Sequence, residues 1–199
     1  MATEETLLHA AKRMNKQALA RIFDLYASPL YNYAFRLCGD PLLADHIVGD
    51  VFAKLFDQLS AGHGPTYDLR AYLYRATYHR IVDEARYSHR RAPLDALALL
   101  KQDVRAERLT IEDQIMFEMV LDVVQHDLTE DQRHVIILRF LEEFSLRETA
   151  AILDKDVDHV KVIQTRAIAK LRRVFEYNEI KTSVSLSGFK KLSRAASRG

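Results

Sequence analysis

The sequence predicts an all-α fold: two small helical domains joined by a linker, the C-terminal one a helix-turn-helix. Three observations carry this. Apolar residues recur at spacings of three and four along most of the chain, the pattern of amphipathic helices. Thr129 with Gln132 and Ser145 with Glu148 have the spacing of capping boxes, and each marks a helix start. After Ala92 the period is lost up to Leu109, with Pro93 at the head of the break, so this stretch reads as linker. The expected division is a domain over 1–92, a linker over 93–109, a second domain over 110–176 and a basic tail over 177–199.

Glu4 to Gly39 reads as two helices carrying Leu7, Leu8 and Ala11, then Leu19, Ile22, Phe23 and Tyr26, and after Ser28-Pro29 Leu30, Tyr33, Ala34 and Leu37. Gly39-Asp40-Pro41 stops the run, with Asp40 as N-cap and Pro41 at the first position of the next helix. That helix, over 41–59, is expected to bury Leu42, Ala44, Ile47, Val48, Val51, Phe52, Leu55 and Phe56. It would present Asp45, Asp50, Lys54 and Asp57, an acidic face suited to a basic partner surface. A Gly- and Pro-containing loop, 60–68, leads to a segment that mixes aromatic and basic residues. There Leu69, Tyr72, Leu73, Ala76, Ile81, Val82 and Ala85 form the stripe to bury. Arg75, His79, Arg80, Arg86, Arg90 and Arg91 leave a positive ridge, with Tyr67, Tyr74, Tyr78 and Tyr87 among them. Arginines track phosphates and rings stack on unpaired bases, so the ridge suits single-stranded or melted nucleic acid. About half of these tyrosines are expected to face inward.

Beyond the linker, Thr110 with Asp113 begins a helix whose Ile111, Ile115, Met119, Val120 and Val123 pack towards the helix-turn-helix. From Ser145 a short helix sets Leu146, Ala150, Ile152 and Leu153 on one side, and Asp154-Lys155-Asp156 turns the chain, with Asp156 as N-cap of the last helix. In that helix Val157, Val160, Ala167, Leu171 and Val174 share one side, with Ile163 and Gln164 at its margin. The opposite side collects Asp158, Lys161, Val162, Thr165, Ala169 and Arg172, with Arg166 and Arg173 on its shoulder. A short helix, a tight turn and a longer helix with a mostly basic exposed face is the arrangement that sets a recognition helix in the major groove. Lys161 and Arg166 reach for base edges or phosphates; Arg172 and Arg173 suit phosphates.

Composition narrows the function. The 199 residues, 48% of them apolar, can bury real cores. A single cysteine, Cys38, excludes an internal disulfide framework, and no Cys/His cluster has zinc-finger spacing. No signal-peptide core and no run long enough to cross a bilayer is present, so a cytoplasmic protein without membrane insertion is expected. There is no phosphate-cradling glycine loop, nucleophile elbow or HExxH, and neither a catalytic residue, a cofactor nor a metal is expected. A net charge of +1 leaves no overall basic field, so contact with nucleic acid must come from local segregation of charge.

Taken together, the two halves resemble the extracytoplasmic-function sigma factors of bacterial RNA polymerase over roughly 15–92 and 110–176. FDLYASPLYNYAFRLCGDPLLADHIVGDVFAKLF resembles the polymerase-binding helices of the promoter-opening domain, and YLYRATYHRIVDEARYSHRR the segment that recognises and opens the −10 element. LTEDQRHVIILRFLEEFSLRETAAILDKDVDHVKVIQTRAIAKLR is similar to the domain that reads the −35 element. The resemblance implies a sigma factor with core RNA polymerase and promoter DNA as partners, duplex at −35 and melted at −10, and an inhibitory anti-sigma factor as a further one. By position, Asp45, Asp50 and Lys54 would dock on the polymerase. Arg75, Tyr78, His79, Arg80, Asp83 and Arg86 would lie near the opened −10 strand, and Lys161, Val162, Thr165, Arg166 and Arg172 at the −35 element.

The chain departs from the family pattern at several positions. Gly49 stands where a Gln is usual and His79 where an Asn is common. Glu143 and Asp154 stand for glycines, His159 for a Thr and Ile163 for a frequent Arg. The rival readings are a dimeric helix-turn-helix regulator that binds duplex DNA without polymerase, a helical enzyme or metal protein using His46, Asp50, His79 or His89, and an inactive sigma-like antagonist.

Overall fold

The computed structural model describes residues 4–88, 124 and 126–179, without the side chains of 86–88 and 174–179. The chain divides into two compact units, Met1–Lys101 and Gln102–Gly199. Among the described residues there are helices and no strand, and no helix is long and apolar enough to cross a membrane. The linker over 93–109, the helix expected from Thr110 and the tail beyond Glu179 lie outside the described residues.

The N-terminal unit is built from α1 (Glu4–Lys12), α2 (Lys16–Cys38), α3 (Pro41–Ser60) and α4 (Leu69–Ser88). The junction between the first two helices falls at Asn15, whose side chain accepts the Ala18 N–H at 3.0 Å. Pro29 sits inside α2 and does not end it, since α2 is held on both sides of it by the buried Ile22 and Leu30. Gly39, at φ 70°, closes α2 in the left-handed conformation glycine adopts without strain. Asp40 then caps α3, taking the N–H groups of Leu42 and Leu43 at 2.9 and 3.1 Å, as expected.

Ala44, Ile47, Val48, Val51, Phe52, Leu55 and Leu59 of α3 fill the core with Ile22, Leu30, Tyr33 and Ala34 of α2 and Leu69, Leu73 and Ile81 of α4. Phe56 of α3 and Tyr72, Ala76, Val82 and Ala85 of α4, expected in the buried stripes, are only half-buried, and two further expectations fail outright. Leu42 is 80% exposed, because its helical phase matches Asp45, His46 and Gly49, not Ile47 and Val51. Tyr74, expected on the ridge, is buried with its ring 5.3 Å from that of Tyr33, and Thr77 is buried a turn later. Glu4 ties three helices together: its carboxylate accepts the Tyr26 hydroxyl at 2.9 Å and the Leu69 N–H at the start of α4 at 2.7 Å.

In the C-terminal unit α5 (Glu130–Ile136) runs into a π-helical segment, Ile137–Leu141, followed by α6 (Leu146–Ile152) and α7 (Val157–Glu179). Both capping boxes are present: Gln132 N–H to Thr129 Oγ1 at 3.4 Å with Thr129 N–H to Gln132 Oε1 at 3.1 Å, and the corresponding Ser145–Glu148 pair at 3.2 and 2.6 Å. Glu143 and Asp154, which the resemblance sets at positions where glycines are usual, both have left-handed backbone, φ 57° and 51°. That conformation costs an L-residue about 1 kcal/mol, less for Asp. Val135, Ile137, Leu138, Phe144, Ala150, Ile152, Leu153, Val160, Ala167 and Leu171 make the core. The helix α7 continues through Tyr177, where the tail was expected to begin.

Candidate nucleic-acid interface

Once α7 packs Val160, Ile163, Gln164, Ala167 and Leu171 inward, its other side is left to solvent. Lys161, Val162, Thr165, Arg166 and Arg172, the residues assigned to the −35 element, are all exposed, as are Asp158, His159 and Arg173. Their chemistry is mixed. Lys161 Nζ lies 3.3 Å from Asp158 Oδ1, and the Thr165 hydroxyl donates to the Lys161 carbonyl at 2.9 Å, so its proton is engaged within the helix. Val162 is 44% exposed among these polar groups, an apolar contact of the kind a thymine methyl offers. Arg166, Arg172 and Arg173 concentrate positive charge on this exposed part of a chain whose net charge is only +1. Ile163 is buried, so its departure from Arg changes the core side of the helix and not the exposed face.

The presentation of α7 rests on Arg139. Its Nε donates to the buried Gln164 Oε1 at 3.0 Å, and its Nη1 donates to the Phe144 carbonyl. The guanidinium therefore ties the π-helical segment, the following loop and α7 together. Burial, opposed by Glu148, pulls its pKa down.

On α4, Arg75, His79 and Asp83 form one exposed strip at successive turns, with Tyr78 half-buried beside it and its ring 5.3 Å from that of His79. The Arg86 side chain lies outside the described residues. Arg80 leaves the strip. Its Nε donates to Asp50 Oδ2 at 2.8 Å and its Nη1 to Glu84 Oε2 at 2.9 Å. These bonds to Asp50 and Glu84 raise its pKa against the opposing effect of burial. Tyr67, in the loop before α4, is 81% exposed, so the ring open for stacking is this one and not Tyr74. Its place between Gly64-Pro65 and Asp68 marked it as loop in the sequence.

The residues assigned to polymerase docking lie on α3. Asp45 and Lys54 are exposed and Asp50 half-buried, with His46 Nε2 3.5 Å from Asp50 Oδ2. Leu42, which the sequence reading placed in the core, is exposed on this face. Gly49 is exposed at its centre, and a Cβ there would meet nothing within 4 Å, so no packing inside the chain requires glycine. Among the described residues no group of three or more His, Cys, Asp or Glu could hold a metal ion.

A family model for sigma-70 region 2 matches residues 22–91, and one for sigma-70, region 4 matches residues 126–173. The ECF RNA polymerase sigma factor BldN of Streptomyces coelicolor is 24% identical over 172 residues, 84% of this chain and 64% of BldN. The chain thus spans less than two thirds of that relative. SigX of Bacillus subtilis, also an ECF RNA polymerase sigma factor, is 27% identical over 78% of this chain and 82% of its own length. Among solved structures, CnrH in complex with the cytosolic domain of CnrY is similar in fold, with a TM-score of 0.65 at 21% identity over 87% of this chain and 97% of that one. The sigma factor RpoE of Bartonella quintana, in complex with the anti-sigma factor NepR, gives 0.62 at 21% identity over 79% and 96%.

Proposed function

The chain belongs to the extracytoplasmic-function sigma factors, and from that premise we propose that it binds core RNA polymerase and directs promoter-specific transcription initiation. What carries the proposal is the presence of region 2 and region 4 in one chain and in that order. A regulator built on the helix-turn-helix alone has no use for the first.

In this reading the α3 face with Asp45, Asp50 and Lys54 docks on the polymerase. The α4 strip of Arg75, Tyr78, His79 and Asp83, with Arg86 and Tyr67, meets the unpaired −10 strand, and Lys161, Val162, Thr165, Arg166 and Arg172 meet the −35 duplex. The exposure of Asp45 and Lys54, of Tyr67, Arg75, His79 and Asp83, and of the five α7 side chains supports the assignment. The work is recognition and positioning and not turnover, and it belongs in the cytoplasm with polymerase and DNA. Family membership also brings in an anti-sigma factor as a second protein partner, of the kind the RpoE neighbour carries.

The purified chain is expected to co-elute with core polymerase and to hold no specific duplex by itself at physiological salt. Tight duplex binding without polymerase, at paired half-sites, would identify the dimeric regulator instead.

A further inference from the structure

Two residues assigned to different tasks, Asp50 to polymerase docking and Arg80 to the −10 strand, are bonded to each other at 2.8 Å. We propose that Asp50 and Glu84 form an acidic latch on Arg80, which a cationic side chain of the polymerase opens by taking Asp50, so that docking frees Arg80 for the DNA backbone. The proposal rests on the sigma-factor reading and deepens it.

The two halves of the latch differ in kind. Glu84 is one turn from Arg80 on α4 and moves with it, at 2.9 Å. Asp50 belongs to α3, so its bond to Arg80 joins the helix assigned to polymerase docking to the helix assigned to the −10 strand. Asp50 is also the more accessible, its side chain 43% exposed against 25% for Glu84 and 28% for Arg80. Two carboxylates on one guanidinium leave the cluster net negative, and in that state it repels a phosphate. The nearby His46 imidazole shows that the Asp50 carboxylate has room for a second nitrogen donor, at 3.5 Å. A fixed cation brought there stands close to the guanidinium, and like-charge repulsion then weakens the Asp50–Arg80 bond. Linkage makes the effect reciprocal: whatever polymerase does to Arg80, Arg80 does to polymerase affinity.

That reciprocity gives a test whose sign separates a latch from a structural ion pair. The affinity of the full-length chain for core polymerase is measured for the parent, Arg80→Gln and Arg80→Lys, with the melting temperature of each. With its competitor removed, Arg80→Gln binds core about two- to fivefold more tightly, the span of a partly exposed ion pair. Arg80→Lys keeps a cation and stays near the parent. Unchanged or weaker binding by a fully folded Arg80→Gln overturns the latch while leaving the sigma reading in place. Failure of the parent to bind core overturns both.

Should Arg80→Gln fail to fold, the free Asp50→Asn chain decides, with a fluorescein-labelled single-stranded DNA of mixed sequence as probe. With the latch, Asp50→Asn binds this probe more tightly and with a salt slope steeper by about 0.7, one added phosphate contact. No gain in affinity and no change of slope overturns it.

Discussion

His134 lies buried in α5. Loss of solvation, reinforced by Arg133, pushes its pKa down to about 3, so the native state holds it neutral. In the unfolded chain it titrates near 6.5. The stability tied to the neutral form is therefore present above about pH 6.5 and lost as pH falls towards the folded value. At pH 5 the loss is about 2 kcal/mol. Thermal unfolding at pH 7 and pH 5 should show this drop in the parent and a smaller one in His134→Leu. An equal drop in both would remove His134 as its source. At this scale the exposed face of α7 was legible in the sequence, since Lys161, Val162, Thr165 and Arg166 follow from helical phase alone. Tyr67 was legible as a loop residue, but the inward turn of Tyr74 was not. Composition says a tyrosine stacks or packs, and only the approach of Tyr33 decides which.

Among the elements, α3 shows both what periodicity supplies and where it misleads. Its core stripe was expected residue for residue from Ala44 to Leu55, yet Leu42 was counted with it because hydrophobicity outweighed phase at the first turn. On the exposed face Leu42 is instead an apolar group beside Asp45 and His46. Docking that buries it contributes on the order of 1.5 kcal/mol or more. Leu42→Ala is thus predicted to lower core affinity about tenfold with the melting temperature unchanged. A lowered melting temperature with affinity intact would return Leu42 to a packing role. The capping boxes at Thr129 and Ser145 and the Asp40-Pro41 start were legible because the donors and acceptors lie within three residues of each other. The π-helical segment Ile137–Leu141 was not, because it accompanies bonds from Arg139 to residues as far off as Gln164, which no local pattern encodes.

In the whole molecule, charge is distributed more tellingly than it sums. A net +1 would be a poor basis for DNA binding by a chain acting alone, yet Arg166, Arg172 and Arg173 share one helix side while Asp45 and Asp50 mark another surface. Such a chain fits an initiation factor that draws affinity from polymerase and adds direction of its own. The two-domain, all-helical order was legible from periodicity and its interruption. Partner and promoter roles came from the resemblance, because exposed charge by itself does not name what it meets. Run-off transcription from genomic fragments, with purified core polymerase and with or without the chain, asks directly whether the protein selects promoters. New start sites sharing −35 and −10 elements should appear only when the chain is present, and weaken when Arg166 is changed to Ala. An unchanged set of starts with the folded chain bound to core would contradict promoter selection outright.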